Sequence, residues 1–385
     1  MRLTKLFREF FESKKSSALI LLICTVVSLL LANSPAKSAY LSFWNLPIFD
    51  HHLSHWVNDG LMAVFFLLVG LELEREVYVG ELSSPRQALL PMVAALGGMV
   101  VPAALHFAFN RGTGTQGGAG IPMATDIAFA LAALSLVGNR VPVSLKIFLT
   151  ALAVIDDLGA ILVIALFYTD SLSWINLLLA LSVFGLLLVL NRLKIRSVIP
   201  YIVGGIIMWY CMLHSGIHAT LAGVLLAFVI PFGNGDEQST SYKLQHFLHK
   251  PVAFFVLPIF ALANTAVTLP GDWIHGLTTL NSLGIFAGLF VGKPLGIASF
   301  SYLSSRMKIT RLPEDLSMKH IIGAGFLGGI GFTMSIFITL LAFDAADSIN
   351  ESKIVILFSS VLAGMMGVLF LKKVFHAVTK HSAKR

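Results

Sequence analysis

The sequence predicts an all-α polytopic membrane protein of about twelve transmembrane helices, built as inverted repeats with two broken helices that cross at the midplane. Three observations predict it. The 385 residues are 56% hydrophobic and 12% charged, whereas a soluble chain carries roughly 25% charged residues. Apolar runs recur from near Ala18 to near Phe370, so residues 1–385 read as a single membrane transport domain and not as segregated soluble domains. Two of those runs are interrupted halfway by glycine or proline.

The runs fall at roughly 17–34, 54–79, 88–110, 118–137, 143–168, 173–190, 198–213, 216–230, 244–268, 282–304, 319–342 and 352–371. Several are too short for a straight crossing, which points to broken or tilted helices. The first, SALILLICTVVSLLLANS, follows a basic stretch as a signal peptide would, but its length and the spans after it make it a retained first helix. Cys24 and Cys211 both lie inside apolar runs and give no ground for a disulfide.

Basic residues orient the chain. With both termini cytoplasmic, 23 of the 27 Lys and Arg fall in the termini and loops of the cytoplasmic side. Only Lys37, Arg111 and Lys353 fall on the other, and the one remaining, Lys293, sits in the middle of a span. The net charge of +7 is therefore a topological signal that calls for no nucleic-acid partner.

The two interrupted runs correspond to each other. Span 4 carries GIPMATDIAF and span 11 carries GAGFLGGIGFTMS, each the middle member of a trio, 88–168 and 282–371. One runs inward and the other outward. Inverted pairs of discontinuous helices are how secondary transporters build ion sites near the midplane.

Four charged residues lie within the hydrocarbon, Asp126, Asp156, Asp157 and Lys293. Each costs about 2.5–3.5 kcal/mol to insert, so each is a functional candidate. A buried structural ion-pair network is the plainer alternative, yet adjacent carboxylates repel, and stability alone gives little reason to pair them. Asp156 and Asp157 point about 100° apart on a helix and so meet different surroundings. A carboxylate in a partly dry cavity holds its proton more tightly, which lets protons and sodium compete for the same oxygens. Sodium is a hard cation, and Asp157 with the Thr125 hydroxyl, freed backbone carbonyls and water could ligate it. Lys293 is too deep to snorkel and needs an anion, either Asp156 or the partial charges of half-helix C-termini. Asp126, at the break of span 4, either compensates half-helix N-termini or ligates the ion.

Seven segments, AVFFLLVGLELERE (63–76), IPMATDIAFAL (121–131), LKIFLTALAVIDDLGAI (145–161), SGIHATLAGV (215–224), FALANTAV (260–267), GKPLGI (292–297) and GGIGFTMSIFI (328–338), together make the whole chain resemble the NhaA family of bacterial sodium/proton antiporters. The resemblance implies that Asp157 is the main sodium-binding carboxylate, that Asp156 pairs with Lys293, and that Asp126 with Thr125 forms the broken-helix site. Asp157, Asp156 and Thr125 are then the sodium contacts. It also implies electrogenic exchange in the inner membrane, with more than one proton entering per sodium or lithium leaving, and no cofactor.

Glu72, Arg75 and Glu76 stand at i, i+3 and i+4, which reads as a surface ion-pair cluster. The resemblance assigns them instead to a cytoplasmic pH-sensing funnel. His218 matches another family position linked to pH response, where a packing role competes. Gln245 stands where the family pattern has a pH-sensor glutamate and cannot titrate. The family's homodimer rests on a hairpin, and the loop from Asn33 to His55 is shorter than the one that builds it. His51, His52 and His55, spaced as metal ligands can be, read better as a solvated external loop.

Two other functions compete. An intramembrane aspartyl protease needs two facing acids with a water between them. It has no use for a third acid and a buried lysine. A sodium-coupled solute symporter shares the broken helices but needs a roomier substrate pocket.

Overall fold

The structure is a computed structural model that describes residues 5–138, 141–169, 172–269 and 276–382. Of the basic residues counted above, Arg2, Arg140, Lys384 and Arg385 lie outside the described residues.

In chain order the helices are α1 (Lys5–Ala32), α2 (Lys37–Trp44), α3 (Leu53–Tyr78), α4 (Pro85–Asn110), the 3₁₀ segment α5 (Gln116–Met123) and α6 (Ile127–Leu136). They continue as α7 (Val143–Phe167), α8 (Trp174–Arg192), α9 (Ile199–Leu213), α10 (Leu221–Val229) and α11 (Thr240–Asn264). The last are α12 (Leu280–Arg306), α13 (Met318–Gly328), α14 (Phe332–Ala342) and α15 (Ala346–Ser382). Each predicted run overlaps one of these helices or a bent pair, so the fold is all-α and polytopic. Among the described residues, 7 helices are long and apolar enough to cross a membrane, or 10 if each bent pair is one span.

Local chemistry starts the helices. Ser239 accepts the Tyr242 N–H at the head of α11, Thr279 accepts the Ser282 N–H at the head of α12, and Asp126 accepts the Phe129 N–H at the head of α6. Pro85 occupies the first turn of α4, where its missing N–H costs nothing.

Three differences from the predicted runs have physical causes. Span 8 shrinks to the nine residues of α10, because Gly216 takes φ +84 and Ser215 Oγ accepts the Ile217 N–H, which together hold a turn. The last helix outruns its apolar stretch at both ends, since helix continues into polar residues that hydropathy does not mark. The loop from Asn33 to His55 holds α2, bent 119° from α1, and a two-stranded ladder pairing Pro47 with His52 and Ile48 with His51. Its tip residue Phe49, with φ 56, is 90% exposed.

Wide π-helical turns interrupt α3 at Val57–Leu61, α11 at Val252–Val256 and α12 at Ala287–Gly292. Two of them lie just ahead of a proline, Pro258 and Pro294. A proline ring inside a helix clashes with the preceding turn and removes a hydrogen bond, and a widened turn absorbs both. In α12 the residue between that turn and Pro294 is Lys293.

The chain divides into two compact units. Unit 1 comprises Met1–Leu19, Ser84–Ala160 and Val267–Arg385, and so holds both interrupted spans, α5 with α6 bent by 44° and α13 with α14 bent by 51°. Within it α4 lies directly against α12. A Cβ on Gly97 would come 2.3 Å from the Gly296 carbonyl oxygen, and one on Gly296 would come 2.1 Å from that of Gly97. Backbone meets backbone there, as small residues permit between membrane helices.

Unit 2 comprises Ile20–Ser83 and Ile161–Ala266. Its α3 and α10 meet in the same way, a Cβ on Gly223 falling 2.1 Å from the Ala63 carbonyl oxygen. Tyr40 on α2 donates to the Leu262 carbonyl of α11 at 2.8 Å, and Trp209 on α9 donates to the Asp59 carbonyl of α3 at 3.2 Å.

Gly296→Val should therefore lower thermal stability by at least about 1–3 kcal/mol, the usual cost of overpacking. Gly185→Ala, with open space around it, should stay within about 0.5 kcal/mol of the native chain. Melting of both variants in detergent, followed by retention of the monodisperse peak, checks this.

Candidate ion site at the helix crossing

The two interrupted spans bind each other at their breaks. The Asp126 N–H donates to the Ile330 carbonyl at 2.7 Å, and Ser335 Oγ donates to the Ile121 carbonyl at 2.7 Å. Residues 124–126 and 329–331 leave the helical path, because each break carries residues that bond across it better than along it.

Asp126 serves two helix ends at once. Its Oδ1 accepts the Phe129 N–H at 3.1 Å, capping α6, while Oδ2 accepts both the N–H and the hydroxyl of Thr333 in the first turn of α14. Both are half-helix N-termini, where partial positive charge accumulates. The geometry is that of dipole compensation.

Thr125 turns the other way. Its hydroxyl lies 2.8 Å from the Gly328 carbonyl, at the C-terminus of α13, and 2.6 Å from Asp156 Oδ2 on α7. It has one hydrogen to give and can satisfy only one of these acceptors at a time. Lys293 Nζ donates to Thr125 Oγ1 at 2.9 Å and pairs with Asp156 Oδ2. The lysine and Asp156 are both 0% exposed. Asp156 Oδ1 is buried with no hydrogen-bond partner. Asp157, also buried, is the next residue on α7.

The sequence-derived candidates thus separate into two groups. Thr125, Asp126, Asp156, Asp157 and Lys293 all lie in unit 1, and Thr125, Asp156 and Lys293 are in mutual contact. Glu72, Arg75, Glu76 and His218 lie in unit 2. There Glu72 sits 3.4 Å from His249 Nε2, the Arg75 guanidinium lies over the Tyr242 ring 4.9 Å from its centroid, and Glu76 accepts the Glu81 N–H at 3.0 Å. His218 is half-buried in the turn before α10, and Gln245 is buried on α11 between Tyr242 and His249 in sequence. The histidines of the loop before α3 also have partners: the His51 and His55 rings stack at 4.1 Å, and His55 lies 2.9 Å from Asp59.

Two residues escaped the sequence reading. Thr333 is embedded in a stretch notable for its glycines, and nothing local marks its hydroxyl as a partner for an acid 207 residues away. Glu74 lies two residues from Glu72 and so faces about 200° around α3. It is 5% exposed, and its Oε2 has no hydrogen-bond partner.

Removing one member of a buried pair leaves the other charge uncompensated, at about 3–5 kcal/mol. Lys293→Ala should accordingly melt earlier than Lys293→Ala combined with Asp156→Asn, and the double-mutant cycle should be far from additive. Additive losses would show that the two side chains do not interact.

The crossing can be set beside known proteins. The family described as Na+/H+ antiporter 1 matches residues 8–371. A sodium/proton antiporter NhaA of Flavobacterium psychrophilum is 63% identical over 374 residues, covering 97% of each chain. One from Dechloromonas aromatica is 60% identical over 374 residues, 96% of each chain, and one from Citrobacter koseri is 48% identical over 380 residues, 96% of this chain and 98% of that one. This is a family of antiporters and not of enzymes. With a match over nearly its whole length and relatives this close, the chain belongs to the Na+/H+ antiporter 1 family.

Proposed function

We propose that this protein is a sodium/proton antiporter that extrudes cytoplasmic sodium, or lithium, in exchange for external protons. The observation that carries the proposal is the buried contact of Asp156, Lys293 and Thr125 at the crossing of two interrupted spans, with Asp157 adjacent. In this reading the chain sits in a bacterial inner membrane with both termini cytoplasmic, and residues 88–168 and 282–371 are inverted repeats around the ion path.

Exchange follows from competition for oxygens. Asp157, Asp156 and the Thr125 hydroxyl are the oxygens that receive sodium, joined by the Gly328 carbonyl, which Thr125 already touches. A proton on Asp157 removes the charge that sodium needs. A sodium ion in place makes that proton costly to add, so the two ligands exclude each other.

Lys293 shares this logic. While it pairs with Asp156, that carboxylate is neutralised without binding sodium. Breaking the pair makes Asp156 available and frees the lysine to exchange a proton, so the loading of one sodium displaces more than one proton. Exchange with such a ratio moves net positive charge inward and is driven by the membrane potential, about 2.3 kcal/mol per charge per 100 mV.

Asp126 has its oxygens committed to two helix ends and acts here as the fixed counter-charge of the crossing. Glu72, Arg75, Glu76 and His218 tune the response to cytoplasmic pH in this proposal, and Gln245, which cannot titrate, removes one sensor from that set.

Asp157→Asn keeps the side-chain shape and removes the titratable charge. In proteoliposomes, sodium-driven proton release should disappear in this variant, and near-normal exchange by correctly inserted mutant protein would sink the proposal. In the native chain, activity should rise with pH along a curve whose midpoint falls as sodium is raised, because more sodium displaces protons at higher acidity. Gln245→Glu should shift or steepen that curve without changing the alkaline plateau. Proton flux recorded against pH at several sodium concentrations tests both statements, and a midpoint indifferent to sodium would remove direct competition as the regulator.

A further inference from the structure

Away from the carboxylates, unit 1 contains another buried titratable group that the ion site does not use. His106 on α4 is 0% exposed, and its Nε2 lies 3.2 Å from Asn281 Oδ1 on α12. Asn281 Nδ2 donates to Ser352 Oγ on α15 at 2.8 Å, and Ser352 donates onward to the Ser348 carbonyl at 2.7 Å.

The direction of this chain settles the tautomer. Ser352 spends its hydrogen on Ser348, so Asn281 must present its amide nitrogen to Ser352 and its oxygen to the histidine. Nε2 therefore carries the hydrogen. Nδ1 is left as a lone-pair acceptor, buried and, among the described residues, without a partner.

Its surroundings leave no other use for it. Asn110 gives its amide hydrogens to the His106 and Leu280 carbonyls at 3.0 and 3.1 Å, and its oxygen accepts from Thr115 at 2.7 Å. Backbone presses on the ring from two sides: a Cβ on Gly118 of α5 would lie 3.1 Å from Cε1, and one on Gly284 of α12 would lie 3.0 Å from Cδ2. The charged groups on the packed elements are Arg86 on α4 with Arg111 just after it, Lys293 and Arg306 on α12, Asp347, Glu351 and Lys353 near the head of α15, and Lys372, Lys373 and Lys380 toward its far end. Glu351 already accepts from Thr279 at 3.3 Å, and among the described residues no charged side chain hydrogen-bonds to the ring.

We propose that His106 Nδ1 is a proton-binding site separate from the carboxylates, and that its occupation opens the contact among α4, α5, α12 and α15 and slows exchange. A proton on Nδ1 makes a buried cation with no acceptor for its new N–H. The ring cannot turn between the two glycine backbones, so relief requires those backbones to part. One of them belongs to the first half of an interrupted span and the other to the helix that carries Lys293, so the change reaches the crossing through both.

The transport arm of the test rests on antiport and the exchange arm does not. His106→Gln keeps an amide N–H where Nε2 was and takes up no proton. Proteoliposome flux with the pH of each side set separately should show the acid limb of this variant about 0.5–1 pH unit lower than native, roughly a three- to tenfold gain there, with an unchanged plateau. Asn281→Asp, which puts a carboxylate against Nε2, should move the limb the opposite way. The hydrogen-exchange protection factor, which is the observed rate divided into the intrinsic rate at each pH, should fall at residues 116–123 and 280–286 on going from about pH 8 to about pH 5.5 in the native chain and stay flat in His106→Gln. Acid limbs that superimpose in native and both variants overturn the regulatory role. Protection factors in the native chain that ignore pH overturn the proton site itself, whatever the flux shows. If neither protein exchanges sodium for protons at any pH, the antiport reading fails while the exchange measurement still decides this one.

Discussion

A lysine ammonium and a carboxylate, both removed from water, confront each other at the centre of unit 1, and much of the surrounding architecture serves to make that tolerable. Desolvating the two ions costs several kcal/mol each, which mutual attraction repays only when their other polar atoms find partners. Thr125 supplies one partner to both, and the end of α13 supplies the carbonyl behind it. Asp156 Oδ1 is the atom left over. A pair so nearly balanced is poorly suited to a merely structural role, because apolar residues of the same size would hold the helices at least as well. It is well suited to being broken and remade.

The backbone around the pair is irregular for reasons that can be read residue by residue. Two spans break where a threonine and an aspartate can bind across the gap, and the exposed helix ends are then satisfied by these side chains and by each other. The helix carrying Lys293 widens by one turn ahead of Pro294, while Gly97 and Gly296 press its backbone onto α4. A midspan lysine needs such fixing, since a long flexible side chain on a loosely held helix would escape toward water. Irregular backbone inside a membrane survives only where protein or a polar cavity covers it.

Hydropathy made the spans legible, since a bilayer demands long apolar runs whatever they pack against, and cost made the charged residues legible, since four midspan charges have no cheap explanation. Pairing was legible for Lys293 because Asp156 and Asp157 were almost the only anions at its depth. It was not legible for Asp126, whose alternatives differ only in where Thr333 falls, and Thr333 is ordinary in its own neighbourhood. Glu74 was masked by its neighbours Glu72, Arg75 and Glu76, whose spacing invited attention to the opposite face of α3. The ladder at Pro47–His52 was illegible because two residues per strand carry no period.

The spacing of these partners along the chain has a consequence for biogenesis. Asp156 is synthesised 137 residues before Lys293, and Asp126 is synthesised 207 residues before Thr333. At about 5–20 residues per second, Asp156 waits on the order of ten seconds for the lysine that will neutralise it, and Asp126 waits somewhat longer for its hydrogen-bond donors. Throughout that interval no native partner from α12 or α14 exists, and a carboxylic acid that keeps its proton is far cheaper to shelter in apolar surroundings than a carboxylate. The arrival of α12 therefore completes the assembly electrically as well as topologically.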